Sequence, residues 1–123
     1  MTSLYERLGR TEGINALVDT IVASHLANPV IAQRYLPLSQ EPERMAVVKQ
    51  HLCNFLESGA GGGAQYTGKS MPDAHRGMNI SGEEYLAAVD DIMGALNTHG
   101  MDEATKKDVL AIVYGLKPTV VRL

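Results

Sequence analysis

Four histidines, His25, His51, His75 and His99, carry most of the chemistry open to this chain. His75 stands in the pattern Met71, Ala74, His75, Met78. Such offsets mark one face of a helix, so the imidazole points where the apolar side chains point. A histidine on that face, with no carboxylate beside it, needs a partner: a backbone carbonyl, or a metal, since neutral imidazole is the commonest metal-ligating side chain. His51 flanks the stripe Val48, Leu52 and Phe55 and can turn toward core or solvent. His25 and His99 end helices, where histidine favours the dipole, and both are read as surface or capping residues.

Two histidines on separate helices, divided by the Gly-rich stretch Ser58 to Ala64 and surrounded by Met, Leu, Val and Phe, suit a flat apolar group held between them. Zinc fits less well, because a closed site takes four ligands with Cys common among them. This chain has one cysteine, Cys53, and no HxxxH or CxxC pair. A haem needs one proximal histidine and an apolar slot. Nucleophilic chemistry is weakly supported: Cys53 follows His51 by two positions, which turns the two side chains about 200° apart on a helix. Gly61-Gly62-Gly63 lacks the GK[ST] ending of a phosphate cradle. The charges around Asp102 to Asp108 read as a solvated helix face.

The elements that must position these residues are helical. Ile14, Leu17, Val18, Ile21 and Val22 predict a helix over 11–27, ended by Asn28-Pro29. A short helical turn over 30–35 follows, and Pro37 and Pro42 bracket a connection. Pro42 suits the first turn of a helix to Ser58, with Met45, Val48, Leu52, Phe55 and Leu56 on one stripe. A short helix spans 71–75. Ser81 and Glu84 form a capping box opening a helix to His99, with Tyr85, Val89, Ile92, Met93 and Leu96 inward. Asp102 caps a last helix through Val121 that Pro118 bends or ends. The expectation is an all-α single domain over residues 1–123.

Composition narrows the classes further. With 45% hydrophobic and 20% charged residues, the chain has enough apolar material to offset chain entropy, which argues against disorder. A net charge of −3 disfavours nucleic acid as a partner. No apolar run approaches the length of a membrane span, and Met1 to Arg7 lacks a signal-peptide pattern. The expected compartment is the cytoplasm and the expected state a monomer. With no Trp and one Phe, the core leans on Met and Leu or on a group that is not protein.

These residues, in this order, resemble the truncated haemoglobins, the two-over-two globins, and their group I in particular. The resemblance spans nearly the whole chain. It is carried by Ser3-Leu4-Tyr5-Glu6-Arg7-Leu8-Gly9, by Gly61-Gly62 followed by Tyr66-Thr67-Gly68-Lys69-Ser70-Met71, and most specifically by Ala74-His75-Arg76-Gly77-Met78-Asn79-Ile80-Ser81 with Tyr85 beyond it. It implies a globin-like truncated helical sandwich around haem b (iron protoporphyrin IX). His75 takes the place of the proximal iron ligand, and Lys69 that of the basic residue near a haem propionate. Tyr85, Met71, Met78, Ile80, Leu52, Phe55 and Leu56 would line the slot, together with Val48 and Tyr35. Val22 replaces the family's usual distal Tyr, Val48 and Leu52 align with its distal Gln, and Tyr35 with its usual Phe. His51 aligns with a position that binds iron in some bacterial members. A six-coordinate resting state follows, with His51 at the haem edge or an open five-coordinate iron as alternatives.

The implied function is reversible binding of diatomic ligands (O₂, CO or NO) at a His75-ligated iron. Its enzymatic version is NO dioxygenation, which needs a reductase as electron donor; a peroxidase-like side activity is a further possibility. The competing reading is a bis-histidyl haem protein for electron transfer, redox sensing or protection against reactive nitrogen. A helical binding module without haem is a remote third.

Overall fold

The computed structural model describes residues 2–63 and 65–123. It contains seven α-helices and no β-strand among these residues; the only extended pairing is an isolated bridge between Ile80 and Val121. The helices are α1 (Leu4–Arg7), α2 (Arg10–Ala27), α3 (Ala32–Ser39), α4 (Pro42–Gly59), α5 (Met71–His75), α6 (Gly82–Thr98) and α7 (Glu103–Gly115), followed by a 3-10 turn at Lys117–Thr119.

Local chemistry sets most of the boundaries. Ser81 and Glu84 close a reciprocal capping box at the start of α6, and Asp102 accepts from the Thr105 amide at 2.9 Å to start α7. Pro42 sits in the first turn of α4, where its missing N–H is harmless. Ser3 and Glu6 make a second capping box that starts α1, a helix that periodicity does not show but that the resemblance over Ser3 to Gly9 implies. Two other boundaries differ from expectation. Helix α3 continues through Pro37, which costs a short helix one backbone bond; Arg34 and Tyr35 tie that helix to its neighbours. Helix α7 ends at Gly115 rather than Val121, because the tail leaves to bond residues 79 and 80.

Helix α2 packs against α4 on one side and α6 on the other, and α6 packs on α7. This makes a two-over-two arrangement of helix pairs. Ile14, Leu17, Val18, Ile21 and Val22 of α2 are buried as expected and meet Val89 and Leu96 of α6 and Val109 and Val113 of α7. The close approach of α1 and α2 requires Gly13, since a Cβ there would lie 2.2 Å from the Leu8 carbonyl oxygen.

The expectation for His25 is corrected. It is only 4% exposed. Its Nδ1 lies 2.7 Å from Asp91 Oδ2, and Asn28 Nδ2 donates to both oxygens of the same carboxylate at 3.2 Å. A buried histidine needs such a partner, and Asp91 is supplied from α6. His99 does end α6, and its Nε2 lies 2.8 Å from Thr20 Oγ1.

Candidate haem site

His75 is presented by the five-residue α5. Ser70 caps this helix by accepting from the Asp73 amide at 3.3 Å, and Pro72 occupies its first turn. The chain turns sharply after it, with positive φ at Gly77 (89°) and Asn79 (46°). The turn is braced from the far end of the sequence: Asn79 N donates to Leu123 O at 2.7 Å and Arg122 N to Ile80 O at 2.9 Å. His75 is half-buried, and its Nδ1 lies 2.8 Å from the Met71 carbonyl oxygen. A carbonyl only accepts, so Nδ1 carries the proton and Nε2 keeps its lone pair. That is the tautomer a metal-ligating imidazole needs.

His51 is presented by α4. The deep face of this helix, Cys53 and Glu57, is buried toward α2, and Lys49 Nζ pairs with Asp19 of α2 at 3.1 Å. Burial and the nearby Asp19 carboxylate push the Cys53 thiol up; a raised thiol is a poor nucleophile. The next stripe, Met45, Val48, Leu52, Phe55 and Leu56, is only half-buried. Met45, Leu52 and Leu56 pack against the central core and Phe55 against Tyr66, yet each stays partly open to solvent. His51 lies beside it. Its Nδ1 is buried without a hydrogen-bond partner among the described residues. An unsatisfied buried polar atom costs about 1–3 kcal/mol, so this nitrogen marks a place where the protein alone does not complete its own bonding.

The remaining expected residues lie in several places. Val48, Met71, Met78 and Ile80 are half-buried on the elements that carry the two histidines. Tyr85 packs on the central core, and its hydroxyl donates to the Val113 carbonyl of α7. Tyr35 packs on His25 (ring centroids 4.9 Å, 35° between planes), and its hydroxyl pKa is raised by burial and by Asp91. Lys69 is exposed in the loop before α5. Val22 is buried. A shallow crevice of about 500 Å³ lined by Gln33, Leu36, Pro37, Gln40 and Glu41 shares no lining residue with either histidine. Among the described residues no group of three His, Cys, Asp or Glu could hold a bare metal ion.

Two features escape sequence reasoning. One is the His25–Asp91–Asn28 cluster, whose acid lies 66 residues from its histidine. The other is Tyr66, whose ring stands edge-on to both His51 (6.0 Å, 77°) and Phe55 (5.3 Å, 83°).

A two-over-two helical sandwich of this kind is the fold of the truncated globins. The chain belongs to the bacterial-like globin family, which it matches over residues 3–122. It is 28% identical over 116 residues to the group 1 truncated haemoglobin GlbN of a Synechocystis species, covering 91% of this chain and 90% of that protein. It is 24% identical to the group 1 truncated haemoglobin of Tetrahymena pyriformis, covering 90% of this chain and 88% of that protein. In structure it is similar to the Fe(III) form of the Tetrahymena pyriformis truncated haemoglobin, with a TM-score of 0.87 at 23% identity over 99% of this chain and 100% of that one. The 2/2 haemoglobin of a Synechococcus species, solved in the cyanomet state with covalently attached haem, superposes with a TM-score of 0.82 at 23% identity, covering 92% of this chain and 91% of that one. The chain is a haem-binding globin with the truncated two-over-two fold.

Proposed function

We propose that this globin holds haem b with His75 Nε2 as proximal ligand, and that His51 occupies the opposite side of the iron until a diatomic ligand (O₂, CO or NO) displaces it. The carrying observation is the contrast between the two imidazoles. His75 has its Nδ1 tied to Met71 O, which frees Nε2. His51 stands beside an apolar, half-covered stripe, and among the described residues its Nδ1 has no polar partner. The residues fit the cofactor: Val48, Leu52 and Phe55 from α4 and Met71, Met78 and Ile80 around α5 offer apolar contact. Lys69 is exposed in the loop before α5, and the propionate role assigned to it rests on the family resemblance.

When bound, haem supplies an iron that reversibly takes diatomic gases and shuttles one electron. The chain's own part is to fix the His75 ring, to keep water from the apolar side, and to offer His51 as an internal competitor. Val22, Val48 and Leu52 donate no hydrogen bond, so polar support for a bound ligand falls to His51 or Tyr35. The same lack of donors favours the redox reading as the second one. Two histidine ligands, His75 and His51, would hold the iron alike in both oxidation states.

The test is the visible spectrum of the purified protein, ferric and then dithionite-reduced, without added ligand. Split, low-spin α and β bands in the ferrous form support the six-coordinate resting state. A single broad high-spin band overturns it and leaves an open iron. Absence of a Soret band after haem is added overturns the His75 site altogether.

A further inference from the structure

Tyr66 is fixed at its tip in two ways. Its hydroxyl donates to the Lys69 carbonyl oxygen at 2.6 Å. Gly68 lies flat against the same end of the ring, where a Cβ would come 2.5 Å from the hydroxyl oxygen and 2.6 and 2.7 Å from Cζ and Cε1. The body of the ring then meets two α4 side chains edge-on, Phe55 at 5.3 Å and His51 at 6.0 Å between centroids. Phe55 is one helical turn beyond His51, so one ring braces both. The anchored ring thus stands against a histidine whose Nδ1 has no partner among the described residues.

We propose that Tyr66 is a positioning residue for His51: a ring clamped between Gly68 and the Lys69 carbonyl restricts the swing of the His51 imidazole and so sets how readily His51 yields the sixth iron position. This rests on the reading of His51 as the resting sixth ligand. His75 is oriented by a hydrogen bond to backbone, whereas His51 has none among the described residues. Its orientation therefore falls to packing, and Tyr66 is the aromatic wall that packs on it. A wall that is itself anchored narrows the orientations through which His51 can turn away from the iron, which slows its release. Loosening the wall widens them.

The experiment uses haem-loaded wild type, Tyr66→Phe, Tyr66→Leu, Gly68→Ala, His51→Leu and the double variant Tyr66→Phe/His51→Leu. Each is first matched for helicity and haem content. Ferrous protein is mixed with CO, and the slow phase limited by His51 release is measured. On CO-saturated, diamagnetic protein, NMR contacts between the Tyr66 and His51 rings are followed. Tyr66→Phe loses the Lys69 anchor and Gly68→Ala pushes the ring tip. Both should accelerate His51 release by about three- to tenfold, the range that one lost hydrogen bond or a disturbed aromatic pair supports, and weaken the ring-to-ring contacts. Tyr66→Phe should change nothing in the His51→Leu background. A release rate within error of wild type in both Tyr66→Phe and Gly68→Ala overturns the role of Tyr66 while leaving His51 as ligand. A wild-type protein with no slow phase that His51→Leu removes overturns the sixth-ligand reading and this one with it. If Tyr66→Leu loses haem, the two milder variants still decide the matter.

Discussion

His75 Nδ1 lies 2.8 Å from the carbonyl oxygen of Met71, one turn earlier in a helix of five residues. The bond fixes the ring's orientation and its tautomer together, and leaves Nε2 as the ligating atom. Removing the ring removes the ligand and its orienting bond at once. His75→Ala should weaken haem binding by about 100-fold or more, and added imidazole should recover part of the Soret absorbance. Haem titration followed in the Soret band measures both. Unchanged affinity would move the proximal ligand elsewhere.

His51→Leu should convert the ferrous protein to a five-coordinate, high-spin spectrum. It should also make CO binding fast and single-phase, because the internal competitor is gone. Stopped-flow mixing and the visible spectrum check this together. A spectrum identical to wild type would place His51 away from the iron.

The His25–Asp91 pair is a packing device at the junction of α2, α3 and α6. Asp91→Ala strands a buried imidazole nitrogen and the Asn28 amide. The expected loss is about 2 kcal/mol, since unsatisfied buried donors cost in that range. Urea unfolding should show a lower midpoint at constant slope. A midpoint equal to wild type would mean that His25 and Asn28 find other partners.

Arg34 of α3 grips Glu84 of α6 with two bonds, Nε to Oε2 at 2.7 Å and Nη2 to Oε1 at 3.1 Å. That hydrogen-bonded guanidinium, with the Ser81 amide, holds the Glu84 carboxyl down at about 2 from its ordinary 4.5. A carboxylate whose pKa is depressed on folding stabilises the protein above its unfolded pKa, and the gain is lost as pH falls through the folded value. Glu84→Gln keeps the capping geometry and removes the charge. It should cost about 1 kcal/mol above roughly pH 5, allowing for solvent screening of a partly exposed pair. The gap to wild type should close toward about pH 2. Unfolding midpoints across that range test it; a gap that is flat with pH would mean the charge is not what Arg34 holds.

What could be read from the sequence was local. Pro42, the Ser81/Glu84 box and the Asp102 cap each act within one turn, and all three place helix starts where the structure has them. The 71–75 helix around His75 was legible for the same reason. Helix α1 was legible only through the resemblance over Ser3 to Gly9, because four residues show no periodicity even though Ser3 and Glu6 carry the capping signal. Pro37 read as a break because its cost is local, while the contacts that offset it come from Glu84 and His25. His25 read as a surface residue because Asp91 is far away in sequence. The residues of the candidate site were visible as types on faces. The Tyr66 wall was not, since an aromatic in a Gly-rich loop does not reveal what it touches.

The brace behind His75 has a consequence in time. Asn79 and Ile80 are closed by Leu123 and Arg122, residues 44 and 42 positions downstream. At about 5–20 residues per second, a ribosome makes those partners roughly 2 to 9 seconds after the turn they secure. During that interval the nascent chain carries His75 on a short helix whose following turn is still open. Capture of the cofactor in its final geometry is therefore a step that follows translation of this stretch rather than accompanies it.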